Sequence, residues 1–170
     1  MRSDVRFDWD WADGHMKAIV DVLEANAMHL LSVSVATDEQ DLKKATDLVV
    51  HITGGDVAVR VRRHEYVRRF RDLTIRSWRS SGHETELGKI RGGFGDWYLY
   101  AWSDGDGGLA DWLLVNLQAL RESGLLDSKS TIRNRDGHTG FIAISDKELE
   151  ISGCLVAQGG LSGATQCSFL

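Results

Sequence analysis

An aspartate and two arginines on neighbouring predicted strands are the residues best placed to do chemistry. Asp47 comes directly before the strand-forming run 48–52, and Arg60 and Arg62 lie in the next such run, 57–63. A glycine turn separates the two runs, which predicts a β-hairpin. A carboxylate that binds Mg²⁺ beside a cation that steadies phosphate charge is the arrangement of a metal-dependent phosphodiesterase.

A metal site of this kind needs a second carboxylate. The best candidate is Glu86, which with Glu84 opens a predicted helix in Glu84-Thr85-Glu86-Leu87. Asp41 and Glu39, upstream of Asp47, are further candidates. The competing interpretation is that Asp47 and Glu86 only cap a strand and a helix.

An arginine-rich segment, residues 60–79, carries a charge of +6 on a chain whose remainder carries −11. Guanidinium groups bind phosphate bidentately, so the segment is expected to meet DNA, or alternatively RNA. A solvated face with internal salt bridges is the other interpretation. Interleaved Tyr66, Phe70 and Trp78 suit base stacking, or else anchor the core. The nucleic-acid-binding candidates are Arg60, Arg63, Arg68, Arg69, Arg71, Arg76 and Lys89.

The stretch from about residue 30 to residue 125 resembles the PD-(D/E)XK nuclease superfamily. It is similar to phage-type Holliday-resolvase-like members in its order: acidic turn, ATDL strand, VRVRR strand, TIR strand, TEL helix and aromatic strand. The resemblance implies a restriction-endonuclease-like fold and a Mg²⁺- or Mn²⁺-dependent endonuclease acting on DNA. It also implies metal ligands and catalytic residues. The implied metal ligands are Asp47, Glu86 and Asp41, and the implied catalytic residues are Asp47, Arg62 and Glu86.

The second strand departs from the superfamily pattern of an acid, any residue, then lysine. Here the positions read Arg60-Val61-Arg62, so Arg62 stands in the lysine's place and no acid precedes it. The alternative function is therefore a catalytically inactive protein on the same scaffold that binds nucleic acid or inhibits a partner. A protein interaction module that uses the aromatic strand 97–102 is a third class.

Hydrophobic periodicity predicts the class α/β (α+β), with a central mixed β-sheet flanked by helices. Helices are expected from residues 15, 84, 117 and 146, and strands at 30–35, 48–52, 57–63, 73–78, 97–102, 112–116 and 141–144. Residues 1–14 are expected to be an arm, 15–158 one domain and 159–170 a flexible tail.

Composition is that of a globular protein, with 42% hydrophobic and 26% charged residues. No apolar run is long enough for a membrane helix, and the two cysteines form no disulfide framework, so a cytoplasmic location is expected. Neither a zinc motif nor a P-loop is present. The sequence leaves a homodimer or a protein partner open.

Overall fold

The computed structural model describes the backbone of residues 3–26, 30–35, 48–52, 55–63, 65 and 71–160, and the side chains of 14–26, 55–63, 65 and 71–160. The helices are α1 Ser3–Ala25, α2 Glu86–Arg91, α3 Leu117–Glu122, α4 Leu125–Ser128 and α5 Asp146–Ile151. The strands are β1 Leu30–Val35, β2 Leu48–Ile52, β3 Gly55–Arg62, β4 Asp72–Arg79, β5 Trp97–Ser103, β6 Leu109–Asn116, β7 Ile132–Arg133, β8 Thr139–Ser145 and β9 Leu155–Gly160. Among the described residues, no helix is both long and apolar enough to span a membrane.

A six-stranded mixed sheet organises the fold, in the order β1-β2-β3-β5-β6-β9. Strands β3 and β5 are parallel, and the other neighbours are antiparallel. The expectation of a mixed sheet with helices is confirmed. Strands β4 and β8, however, form a second, three-stranded sheet with β7 instead of joining the central sheet.

Strand β3 shows how alternation positions the arginines. Val57, Val59 and Val61 are buried and pack in the same cluster as Ile19 and Leu23 of α1. Because neighbouring residues of a strand point to opposite faces, Ala58, Arg60 and Arg62 face away from α1. There Ala58 joins the second core cluster, between the two sheets and the short helices.

The aromatic residues of β5 form the centre of that second cluster. Tyr98, Tyr100 and Trp102 are each no more than 2% exposed, and successive rings pack edge to face. Such edge-to-face pairs stabilise a core beyond the apolar area that they bury. These side chains are therefore not available to a protein partner, which removes the basis for the interaction-module interpretation at β5.

The two ends of the expected domain differ from the prediction. Helix α1 begins at Ser3, so residues assigned to an arm continue the helix that was expected from His15. Strand β9 runs to Gly160 against β6, although 159–170 was expected to be a flexible tail. At Gly159 a Cβ would lie 2.7 Å from the Trp112 ring, so this glycine allows close packing where the sequence pattern indicated a loop. Residues 161–170 lie outside the described residues.

Candidate nucleic-acid interface

Glu86, at the start of α2, joins four elements of the fold. Its Oε2 accepts hydrogen bonds from Arg60 Nη1 on β3 and from the backbone N–H of Arg76 on β4, both at 2.9 Å. Its Oε1 accepts a hydrogen bond from the hydroxyl of Tyr98 on β5. The carboxylate is placed there because Thr85 caps the helix, with Oγ1 accepting from Gly88 N. Glu86 is only 3% exposed.

This network satisfies the outer edge of β4 at Arg76. The edge N–H of Arg76 bonds to Glu86 rather than to a neighbouring strand. An edge N–H left unpaired inside the protein would carry a desolvation penalty, which the carboxylate removes. Glu86 thus acts as a structural link between the two sheets.

The described part of the predicted metal site does not fit a metal ion. Both carboxylate oxygens of Glu86 accept hydrogen bonds from the protein. Neither oxygen therefore faces a site where it could coordinate Mg²⁺. Among the described residues, no group of three His, Cys, Asp or Glu could hold a metal. The other predicted ligands, Asp47 and Asp41, lie outside the described residues, as does Glu39.

Tyr98 is held as a neutral donor. Burial raises the pKa of its phenol well above the ordinary value, and the adjacent negative charge of Glu86 raises this pKa further. The positive charge of Arg60 acts in the opposite direction. The hydroxyl therefore keeps its proton over the physiological pH range and remains a donor to the carboxylate of Glu86.

Arg76 lies at the centre of a group of like charges, which we call the arginine cluster: Arg60, Arg62, Arg76 and Arg79. Burial lowers the pKa of the half-buried Arg76 guanidinium, and the charges of Arg60, Arg79 and Arg62 lower it further, while the charge of Glu86 acts in the opposite direction. Among the described residues, no carboxylate forms an ion pair with Arg76 or Arg79. The Nε of Arg79 is buried and has no hydrogen-bond partner in the described part of the chain. Arginines of β3 and β4 thus lie together around the Glu86 carboxylate that pairs with Arg60.

Arg71, another predicted nucleic-acid contact, is engaged inside the protein. Its Nε and Nη2 lie 2.8 and 2.9 Å from the two carboxylate oxygens of Asp111, and its Nη1 lies 3.4 Å from Asp146. Burial raises the pKa of Asp111, and the charge and hydrogen bond of Arg71 oppose that rise. Arg71 therefore ties the start of β4 to β6 and α5.

The other residues predicted to contact nucleic acid differ in how far they are exposed to solvent. Arg63 is exposed directly after β3, and Arg62 is half-buried in register with Trp102. Lys89 is only 5% exposed within α2, which corrects its assignment to a nucleic-acid surface. A helical residue on the core side cannot present its ammonium group to a phosphate. Arg68 and Arg69 lie outside the described residues, as do Tyr66 and Phe70.

A stacked pair on the second sheet was not predicted from the sequence. The guanidinium carbon of Arg133 on β7 lies 3.2 Å from the ring centroid of Trp78 on β4. Both residues are in register with Gly140 of the strand between them. A two-residue strand has no period to detect, so only the register could reveal this pair.

Comparisons with known proteins do not assign a family. No protein-family model matches the chain, and no curated protein or solved structure shows significant similarity to it. Function is therefore inferred from the geometry of the described residues.

Proposed function

We propose that this protein binds nucleic acid, with the arginine cluster holding the phosphate backbone. The observation that carries the proposal is the position of Arg76, half-buried among Arg60, Arg62 and Arg79 with its pKa lowered by burial and like charge. Holding like charges together raises the free energy of the unliganded protein. A polyanion relieves that repulsion, and guanidinium groups match phosphate oxygens in geometry.

The charge of the whole chain supports a localised interface. The net charge is −5, so the positive potential of the cluster is confined to one region. A polyanion is attracted to the cluster and repelled by the acidic remainder, which orients it. Because phosphate contacts release counterions, the affinity should fall steeply as salt rises.

The mixed sheet, with α1 on one face and the short helices on the other, is compatible with a restriction-endonuclease-like scaffold. The bonded state of Glu86 favours the inactive-binder alternative, because that carboxylate already has three donors. A DNA hydrolase would need Asp47 and Asp41 to hold Mg²⁺ or Mn²⁺ without Glu86. We therefore propose binding without cleavage and treat hydrolysis as an outcome to be tested.

Binding is tested by titrating DNA and RNA at several salt concentrations with the wild type and with a variant carrying Arg76→Gln and Arg79→Gln. Loss of two phosphate contacts should reduce the slope of log affinity against log salt by about 2 and weaken all sequences alike. Lys17→Gln is the matched control, because it removes an exposed charge on α1, away from β4. No binding at low salt, or an unchanged slope in the double variant, would refute the proposal.

Cleavage is tested in the same samples after addition of Mg²⁺ or Mn²⁺, with branched, duplex and single-stranded DNA. Binding without product is the expected result. Cleavage by the wild type that is lost in Asp47→Asn would instead establish the hydrolase predicted by the resemblance.

A further inference from the structure

The Arg133–Trp78 pair presents a flat cation to solvent. The guanidinium carbon lies over the indole ring at 3.2 Å from its centroid, within the range of a cation–π contact. Trp78 is half-buried and Arg133 is exposed. The outer plane of the guanidinium is therefore open to a further stacking partner.

Gly140 makes this stack possible. A Cβ built on Gly140 would lie 2.8 Å from Thr131 Cγ2 and 3.4 Å from Arg133 Cδ, so a side chain there would disturb the path of Arg133 towards Trp78. The stack contributes little to the core, since both residues of β7 are exposed and Ile132 keeps half of its surface in solvent. Core packing alone does not account for it.

The surroundings of the stack are positively charged. Arg133 has no carboxylate ion-pair partner among the described residues, and Arg135 is exposed two positions later. The nearby carboxylate of Asp136 accepts hydrogen bonds from the backbone of His138 and Thr139 within its own turn. The local field therefore favours an anionic ligand.

The stack lies beside the arginine cluster on β4 but on the other face of the second sheet. The pairing with β8 shifts between Arg76, opposite Phe141, and Trp78, opposite Gly140, so Arg76 and Trp78 point to opposite faces. Because β4 is an edge strand of that sheet, a nucleic-acid strand that crosses this edge would meet the arginines on one face and Arg133 on the other.

We propose that Arg133, supported by Trp78, is a stacking platform for an unpaired base, so that the ligand is single-stranded nucleic acid. This inference rests on the proposed function and specifies its substrate class. Unpaired bases stack on arginine planes and aromatic rings, whereas the bases of a duplex are already stacked within it and cannot reach the platform.

The test compares a single-stranded oligonucleotide with a duplex of equal length, using the wild type and Arg133→Lys. Lysine keeps the charge but lacks the planar group. We expect the wild type to prefer the single strand, and Arg133→Lys to bind the single strand at least about fivefold more weakly with duplex affinity and salt slope unchanged. Arg135→Lys is the matched control and should behave as the wild type. Because Arg133 is exposed, the melting temperature of Arg133→Lys should match that of the wild type.

Equal binding of single strand and duplex by the wild type would overturn the platform. So would an Arg133→Lys variant that binds the single strand as the wild type does. In both cases the proposed function survives if the Arg76→Gln and Arg79→Gln variant still loses affinity. Absence of binding to either ligand at low salt would overturn both proposals.

Discussion

Arg60 on β3 and Glu86 on α2 form an ion pair in which Nη1 lies 2.9 Å from Oε2 and the carboxylate is almost fully buried. The pair joins the VRVRR strand to the TEL helix, the two segments on which the resemblance to a nuclease depends. A buried carboxylate requires partners for all its oxygens, and here Arg60, Arg76 N and Tyr98 supply them. In the described structure Glu86 thus stabilises the scaffold.

We predict that Glu86→Gln lowers the free energy of unfolding by about 3 kcal/mol, because it leaves the charge of Arg60 without its buried counter-ion. Urea unfolding at neutral pH measures this, with the exposed Glu84→Gln as the matched control. A carboxylate positioned only to bind metal would give the opposite result. Its neutralisation would leave the metal-free protein unchanged or more stable.

Tyr98→Phe and Tyr100→Phe should differ in their effects. The hydroxyl of Tyr98 donates to the buried carboxylate of Glu86, whereas that of Tyr100 pairs with the neutral hydroxyl of Thr74. Losing a hydrogen bond to a charged, buried acceptor is expected to reduce stability by about 1.5–3 kcal/mol, and losing a neutral one by about 0.5–1.5 kcal/mol. Denaturant midpoints of the two variants provide the comparison. Equal losses would mean that Glu86 does not depend on Tyr98.

Arg71→Met should destabilise the protein by about 3 kcal/mol at neutral pH, because Asp111 would be left as an unpaired buried carboxylate. The folded pKa of Asp111, already raised by burial, would then rise further above its unfolded value. A raised carboxyl pKa gives stability that is present at acidic pH and lost as pH rises through the folded pKa, so the deficit should shrink on acidification.

Two further measurements separate this role of Arg71 from nucleic-acid binding. Adding Asp111→Leu to Arg71→Met should recover most of the lost stability, because no buried charge remains. The salt slope for nucleic-acid binding should stay that of the wild type in Arg71→Met. A slope reduced by about 1 would instead place Arg71 on a phosphate.

Glu148 should contribute to stability in the opposite pH direction. Its hydrogen bond with Lys129 and those with the backbone and side chain of Ser145 lower its pKa from 4.5 to about 2. A lowered carboxyl pKa gives stability that is present above the unfolded value and lost as pH falls towards 2. Because the side chain is 41% exposed, solvent screens the effect, which should stay below about 1 kcal/mol.

The measurement for Glu148 is the melting temperature between pH 2 and pH 6. Glu148→Gln should flatten the acid side of the profile relative to the wild type, and the exposed Glu150→Gln should not. Identical acid profiles in all three proteins would show that the capping box does not carry this charge effect.

Local sequence patterns predicted the elements whose form depends on near neighbours. Alternation placed Val57, Val59 and Val61 on one buried face of β3, because successive strand residues point to opposite sides. The helix start at residue 146 was predicted correctly, since the Ser145–Glu148 capping box satisfies a helix start within three residues. The limits of β1 and β2 were also predicted as observed.

Local sequence patterns did not predict contacts between residues that are far apart in the chain. The residues around Glu86 in the sequence do not show that it bonds to Arg60, 26 residues away. In the same way, the sequence around Arg71 does not show that it pairs with Asp111, 40 residues away. Strand β9 was missed because its glycines gain their role only against β6.

The sequence by itself thus determined the alternating strands, the capped helices and a concentration of arginine between residues 60 and 79. Only the tertiary structure decided that Arg60 and Arg71 pair with buried carboxylates and that Arg76 lies among other arginines, and it alone brought Arg133 onto Trp78. The physical reason is that burial and ion pairing depend on the packing of segments far apart in the chain, whereas turns, caps and alternation depend on the covalent geometry of a few consecutive residues.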